Sequence, residues 1–130
     1  MLAEFLVKAK KATYASGKTL TYKDNQYSYK DTYYGSNPFG GQEIVSKDKP
    51  IWIMNYWGKT TNPKIYKILK QALLQVTKDL PFRGPRQLTI GPYLYKNEVK
   101  GSITSFHGKE TIEKDNKIIY TCFYHGGEII

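Results

Sequence analysis

From Gln26 to Tyr34 the chain reads QYSYKDTYY, and the alternation of that stretch constrains the fold more than any other feature. Side chains of an extended strand point to opposite faces with a period of two. Tyr27, Tyr29, Asp31 and Tyr33 therefore share one face, and Gln26, Ser28, Lys30 and Thr32 the other. A strand with one aromatic face needs neighbours in a sheet and a cover over its rings. GQEIV and PIWIMNYWG read as the next two strands, joined by the polar turn SKDKP. YLYKNEV, GSITSFHGKETIEK and NKIIYTCFYHGG read as three more. In PIWIMNYWG both faces are apolar, Ile51, Ile53 and Trp57 against Trp52, Met54 and Tyr56, which predicts a central strand covered on two sides.

Two amphipathic segments supply the cover. Leu2, Phe5, Leu6, Ala9 and Ala12 recur at helical spacing with Lys8, Lys10 and Lys11 off the stripe, which predicts a helix over 2–14 that Gly17 ends. In the second segment Asn62 can cap and Pro63 fits the first turn. Ile65, Ile68, Leu69, Ala72, Leu73 and Val76 form its apolar stripe, opposite Lys64, Lys67, Lys70, Gln71 and Lys78. The expected fold is α+β: a single domain over residues 1–130, with a strongly curved antiparallel sheet of about six strands packed against two helices. The expected order is helix, three or four strands, helix, three strands, with no internal repeat.

The last two strands read as a hairpin around Asp115-Asn116. If Lys114 pairs with Lys117, His107 falls opposite Tyr124 and Phe106 opposite His125. The two histidines then sit on opposite faces unless a bulge at Gly108 shifts the register.

Several chemistries lack their residues. The only cysteine, Cys122 in IIYTCFY, cannot form an internal disulfide and reads as a buried structural thiol. Two isolated histidines with scattered carboxylates make no metal-ligand spacing, so neither a metal nor a cofactor is expected. No glycine-rich phosphate loop opens a helix, and no serine sits in a nucleophile elbow. The first residues do not read as a signal peptide and no window is long enough for a membrane span, so the expected location is cytoplasmic, without membrane contact. The formal charge is +9, but most of the basic residues are lysines that follow the helices, which fits a solvated surface better than a nucleic-acid partner.

What remains is an unusual aromatic load that includes 12 tyrosines. Tyrosines sharing a face with Asp31, and tryptophans flanking Asn55, suit a cleft with apolar walls and a few directional polar groups. The candidate ligand-binding residues are Tyr29, Asp31, Tyr33, Glu43, Trp52, Asn55, Arg83 and His125. The stretch YYGSNPFGGQEIV adds a loop in which Asn37-Pro38 starts a turn, Phe39 can plug a gap and Gly40-Gly41 allows close approach. It reads either as a bend in the sheet or as the rim of a ligand cleft.

NPFGGQEIV, KPIWIMNYWGK, LPFRGP and YHGG, in that order, also carry a resemblance. The chain resembles a bacterial domain family of unknown function, found free-standing and at the carboxy-terminal end of some helix-turn-helix regulators. The resemblance brings no activity or catalytic residue; it implies a sensing or interaction role. The leading expectation is a small-molecule-binding or sensory domain, with a homodimer mate or a regulatory protein as its coupled partner. The alternatives are a hydrolase or lyase-type enzyme using His125, Glu43 and Arg83 for general acid/base work, and a protein-interaction module.

Overall fold

The computed structural model describes residues 1–16 and 20–130. Gly17, expected to end the first helix, lies outside the described residues. The chain runs α1 (Leu2–Ser16), β1 (Thr21–Asp24), β2 (Tyr27–Gly35), β3 (Phe39–Lys47), β4 (Lys49–Thr60), a 3₁₀ turn (Pro63–Ile65) leading into α2 (Tyr66–Leu73), β5 (Gln87–Ile90), β6 (Tyr93–Ser102), β7 (Ser105–Lys114) and β8 (Lys117–Glu128). The strands form one antiparallel sheet of eight, in the order β1-β2-β3-β4-β8-β7-β6-β5.

The expected six strands become eight for identifiable reasons. β1 and β5 are four-residue edge strands, TYKD and QLTI, too short to show a period. GSITSFHGKETIEK divides between two strands: a tight turn pairs Ser102 with Ser105, with Gly101 at φ +98°. The cap behaves as read, with the Asn62 side chain accepting from the Lys64 amide at 3.1 Å.

Both helices cover the inner face of the sheet. Phe5, Leu6 and Ala9 of α1 and Leu69, Ala72 and Leu73 of α2 join Tyr29, Val45, Trp52, Met54, Tyr95, Phe106 and Tyr120 in the core. Ala12, placed on the apolar stripe by its spacing, is exposed, whereas Lys10, placed off it, is fully buried. The central position expected of β4 is observed, but its outer face is bare among the described residues and Trp57 is 44 % exposed.

The register of the last hairpin also departs from expectation. Lys114 does pair with Lys117, but Glu113 pairs with Ile118 and Ile112 with Tyr120, so Ile119 is the additional residue of a bulge. The shift places His107 opposite His125, and the two histidines share the outer face.

The sheet is built from two matching halves, contrary to the expected lack of a repeat. β1–β4 and β5–β8 are each an antiparallel meander, and the two meet along β4 and β8. YSYKD in β2 matches YLYKN in β6, GQEIV in β3 matches GKETI in β7, and Tyr56 matches Tyr124. The registers agree as well. Asp31 pairs with Glu43 as Asn97 pairs with Glu110, and Gly41 faces Tyr56 as Gly108 faces Tyr124.

Candidate functional site

In each half a tyrosine on the inner face crosses over a glycine on the adjacent strand. A Cβ at Gly41 would collide with the Tyr56 hydroxyl, and one at Gly108 with the Tyr124 ring. Glycine at these positions lets the phenol reach one strand further. Tyr56 donates to Asp31 Oδ1 at 2.5 Å, and Tyr124 donates to Asn97 Oδ1 at 2.6 Å.

The second half is closed by the connector LPFRGP. The Asn97 amide donates to the Gly84 carbonyl at 2.8 Å, and the Gly84 amide donates to the Tyr95 hydroxyl at 2.9 Å. Arg83 donates through Nε and Nη2 to Glu110 Oε1 at 3.1 and 2.9 Å. Tyr95 and Tyr120 donate to the same carboxylate, the latter at 2.7 Å. Phe82 stacks on Phe106 with ring centroids 4.1 Å apart, which seats the connector against the core.

The first half keeps an open cleft of about 410 Å³ at the corresponding level of the inner face. Asp31, Tyr56, Arg83, Thr13 and Lys70 are among its polar lining, and Tyr14, Tyr66 and Leu69 are among its walls. Beneath Asp31 lies Glu43, fully buried and ion-paired with Lys10 at 3.1 Å, while Tyr14 donates to Glu43 Oε2 at 3.4 Å. Lys10 also donates to the Phe82 carbonyl, so α1, β3 and the connector converge on one ammonium. Tyr29 occupies the position of Tyr95, yet its buried hydroxyl has no hydrogen-bond partner among the described residues.

Charge is unevenly compensated here. Glu43 has Lys10 and Glu110 has Arg83, but Asp31 has no cation within ion-pairing distance among the described residues. Burial, reinforced by the neighbouring Glu43 carboxylate, pushes the Asp31 carboxyl up to about 6. Burial and then Asp31 itself raise Tyr56, which stays a neutral donor. For Lys10 the cost of burial outweighs the pull of Glu43 and lowers its pKa. The Arg83 guanidinium lies 5.3 Å from the Tyr56 ring centroid, bracing that ring from the connector side.

The loop from Gly35 to Phe39 is both bend and rim. Asn37 exchanges two hydrogen bonds with the Thr60 backbone, at 2.9 and 3.0 Å, and the Asn37–Pro38 peptide is cis. Ser36 O accepts from Tyr66 at 2.5 Å, and Phe39 stacks on Tyr120 with centroids 6.5 Å apart. Gly35, Ser36 and Phe39 border the cleft.

Of the eight candidates named from sequence, Asp31, Tyr33 and Arg83 line the cleft. Tyr29, Glu43 and Trp52 are buried in the core; the Trp52 indole stacks on Phe106 and donates to Ile103 O at 3.0 Å. Asn55 and His125 pair with each other on the outer face, where Gln42 donates to Asn55 at 2.8 Å. Glu43 and His125 therefore lie on opposite faces, and the acid/base trio of His125, Glu43 and Arg83 has no common space. Sequence reasoning missed Tyr14 and Tyr66, and it missed Lys10, whose one signal was its place four residues after Leu6 in the buried stripe.

Among the described residues no group of three or more His, Cys, Asp or Glu is placed to hold a metal, and no helix is long and apolar enough to cross a membrane. Cys122 is buried, which pushes its thiol up to about 12.

A family model described as a domain of unknown function, DUF5680, matches residues 31–129. The chain belongs to the DUF5680 family. No curated protein and no solved structure matches it significantly. The DUF5680 match spans most of both halves, including the Asp31–Tyr56 and Asn97–Tyr124 pairs, the connector and the rim loop.

Proposed function

We propose that this DUF5680 domain binds a small molecule in the cleft between its helices and the first half of the sheet, and that it works as a sensory domain. The ligand has a compact aromatic or apolar body and one cationic N–H group directed at Asp31. The observation that carries this reading is the uncompensated Asp31 carboxylate among aromatic walls, in a protein whose other deeply buried carboxylates each have a cation. The second half supplies the contrast: there the matching residue is the neutral Asn97, whose amide donates to the connector's Gly84 carbonyl, whereas Asp31 lines an open cleft. Occupancy shifts a homodimer mate or a regulatory protein through differential affinity for the two states.

A site of this kind costs stability. Asp31 holds its proton to about pH 6 in the folded state and to about 3.8 when unfolded. Between those values the folded state binds more protons, so stability falls as pH rises, and above about 6 the whole cost is present. Water at the rim reduces that cost to about 1–2 kcal/mol. Asp31→Asn keeps an acceptor for Tyr56 and removes the charge. At pH 7.5 it is expected to raise the melting temperature by roughly 4–7 °C, a gain that fades as pH falls from about 6 to about 3.8.

The test uses 2-phenylethylamine and its carboxylate counterpart, 3-phenylpropanoate, in thermal-shift titrations at pH 7.5. The amine is expected to raise the melting temperature of the wild-type domain, the carboxylate to leave it unchanged, and Asp31→Asn to abolish the amine response. Equal responses to both probes, or an amine response that survives in Asp31→Asn, would overturn the reading.

A further inference from the structure

The outer face of the sheet carries a feature that burial does not explain. Tyr34, Gly40, Trp57, Phe123 and Lys109 stand in one cross-strand row over β2, β3, β4, β8 and β7. Tyr34 is 76 %, Trp57 44 % and Phe123 51 % exposed. An atom built at the Gly40 Cβ position would touch Trp57 Cδ1 at 3.4 Å, so the indole lies over the glycine and toward Tyr34. Neighbouring strands are about 5 Å apart, which puts Trp57 and Phe123 side by side and Tyr34 about 10 Å beyond. Lys109 Nζ rests 5.7 Å from the Phe123 ring centroid.

Next to this row is a groove of about 660 Å³. Arg86, Lys96, Lys100 and Lys109 line it with Phe123, and Glu98 is its one acid. Lys96 is partly engaged, at 3.4 Å from Glu113. In the next row along the strands His125 stands opposite His107, and His107 opposite Lys100.

We infer that this face binds single-stranded nucleic acid, with bases stacked on Trp57, Phe123 and Tyr34 and phosphates following the cations of the groove. Exposed rings with open faces beside a cationic channel are what a strand with unstacked bases recognises. A duplex turns its base faces inward and would leave the aromatic row without a partner, and an apolar protein partner would leave Arg86, Lys100 and Lys109 without an anion of its own to meet them. The site is independent of the cleft, which opens on the other face.

Fluorescence anisotropy with labelled dodecauridylate and dodecathymidylate tests the inference, with a duplex of equal length, inorganic polyphosphate and phosphatidylglycerol vesicles as comparisons. Binding of either single strand is expected to exceed that of the duplex and to weaken steeply with salt. Trp57→Ala and Phe123→Ala, both at exposed positions and checked for intact circular dichroism, are expected to lose about fivefold or more in affinity each. Lys100→Ala is expected to lower the salt slope by about 1, and Asp31→Asn to change neither quantity. Duplex or polyphosphate binding as tight as the single strand, unchanged affinity in both aromatic variants, or retention on the vesicles alone would overturn it.

Discussion

Glu110→Gln is expected to lower the stability of the domain by about 3–5 kcal/mol, the largest effect of any conservative substitution in the chain. The carboxylate is fully buried and is held by Arg83, Tyr95 and Tyr120 together. A glutamine keeps an acceptor but leaves the Arg83 guanidinium, only 4 % exposed, without an opposite charge. Removing one member of a buried pair costs far more than the pair contributes over an apolar replacement, because the survivor stays desolvated. For a chain of 130 residues this amounts to a fall in melting temperature on the order of 15 °C. The double variant Arg83→Met, Glu110→Gln is expected to recover a large part of the loss in a chemical-denaturation experiment. A double variant no more stable than Glu110→Gln alone would mean that the guanidinium is not the source of the cost.

Lys10→Met is expected to have the second largest effect, again about 3–5 kcal/mol, with a different local signature. Its ammonium joins Glu43 on β3 to the Phe82 carbonyl of the connector and faces the Trp52 ring at 5.7 Å. Methionine fills most of the volume but leaves Glu43 buried without its cation, next to the already uncompensated Asp31. Two carboxylates on paired positions then repel at close range. Hydrogen exchange should show α1 losing protection before the β3–β4 and β7–β8 ladders, since the ammonium is a principal polar tie between α1 and the sheet. Lys10→Met, Glu43→Gln should restore most of that protection. Uniform loss across all elements in the single variant would contradict a local tie.

The parts of the fold that were legible in the sequence are those set by periodicity. The alternation through Tyr27–Tyr33 put Asp31 on the covered face, and the Asn62–Pro63 start located the second helix. What escaped was set by pairings that periodicity does not encode. Lys10 looked like a solvent-facing lysine because its partner, Glu43, lies 33 residues away and only the sheet brings the two together. The histidines were placed on opposite faces because the bulge at Ile119 adds one residue beyond a correctly read turn. The repeat was hidden by drift: the offset between matching residues grows from 66 at Tyr27 and Tyr93 to 68 at Tyr56 and Tyr124. Asp31 itself was named from the sequence, but not its contrast with Asn97. That contrast separates a half closed by Arg83 and Gly84 from one that presents an uncompensated carboxylate to a cleft.

The state of Asp31 is accordingly the most direct measurement, made by following its side-chain carboxyl carbon by NMR across a pH titration, with and without saturating 2-phenylethylamine. The expected midpoint is about 6 in the free domain, moving down by a unit or more when the amine supplies the missing positive charge. A midpoint near the ordinary aspartate value of 3.8, unmoved by the amine, would contradict it.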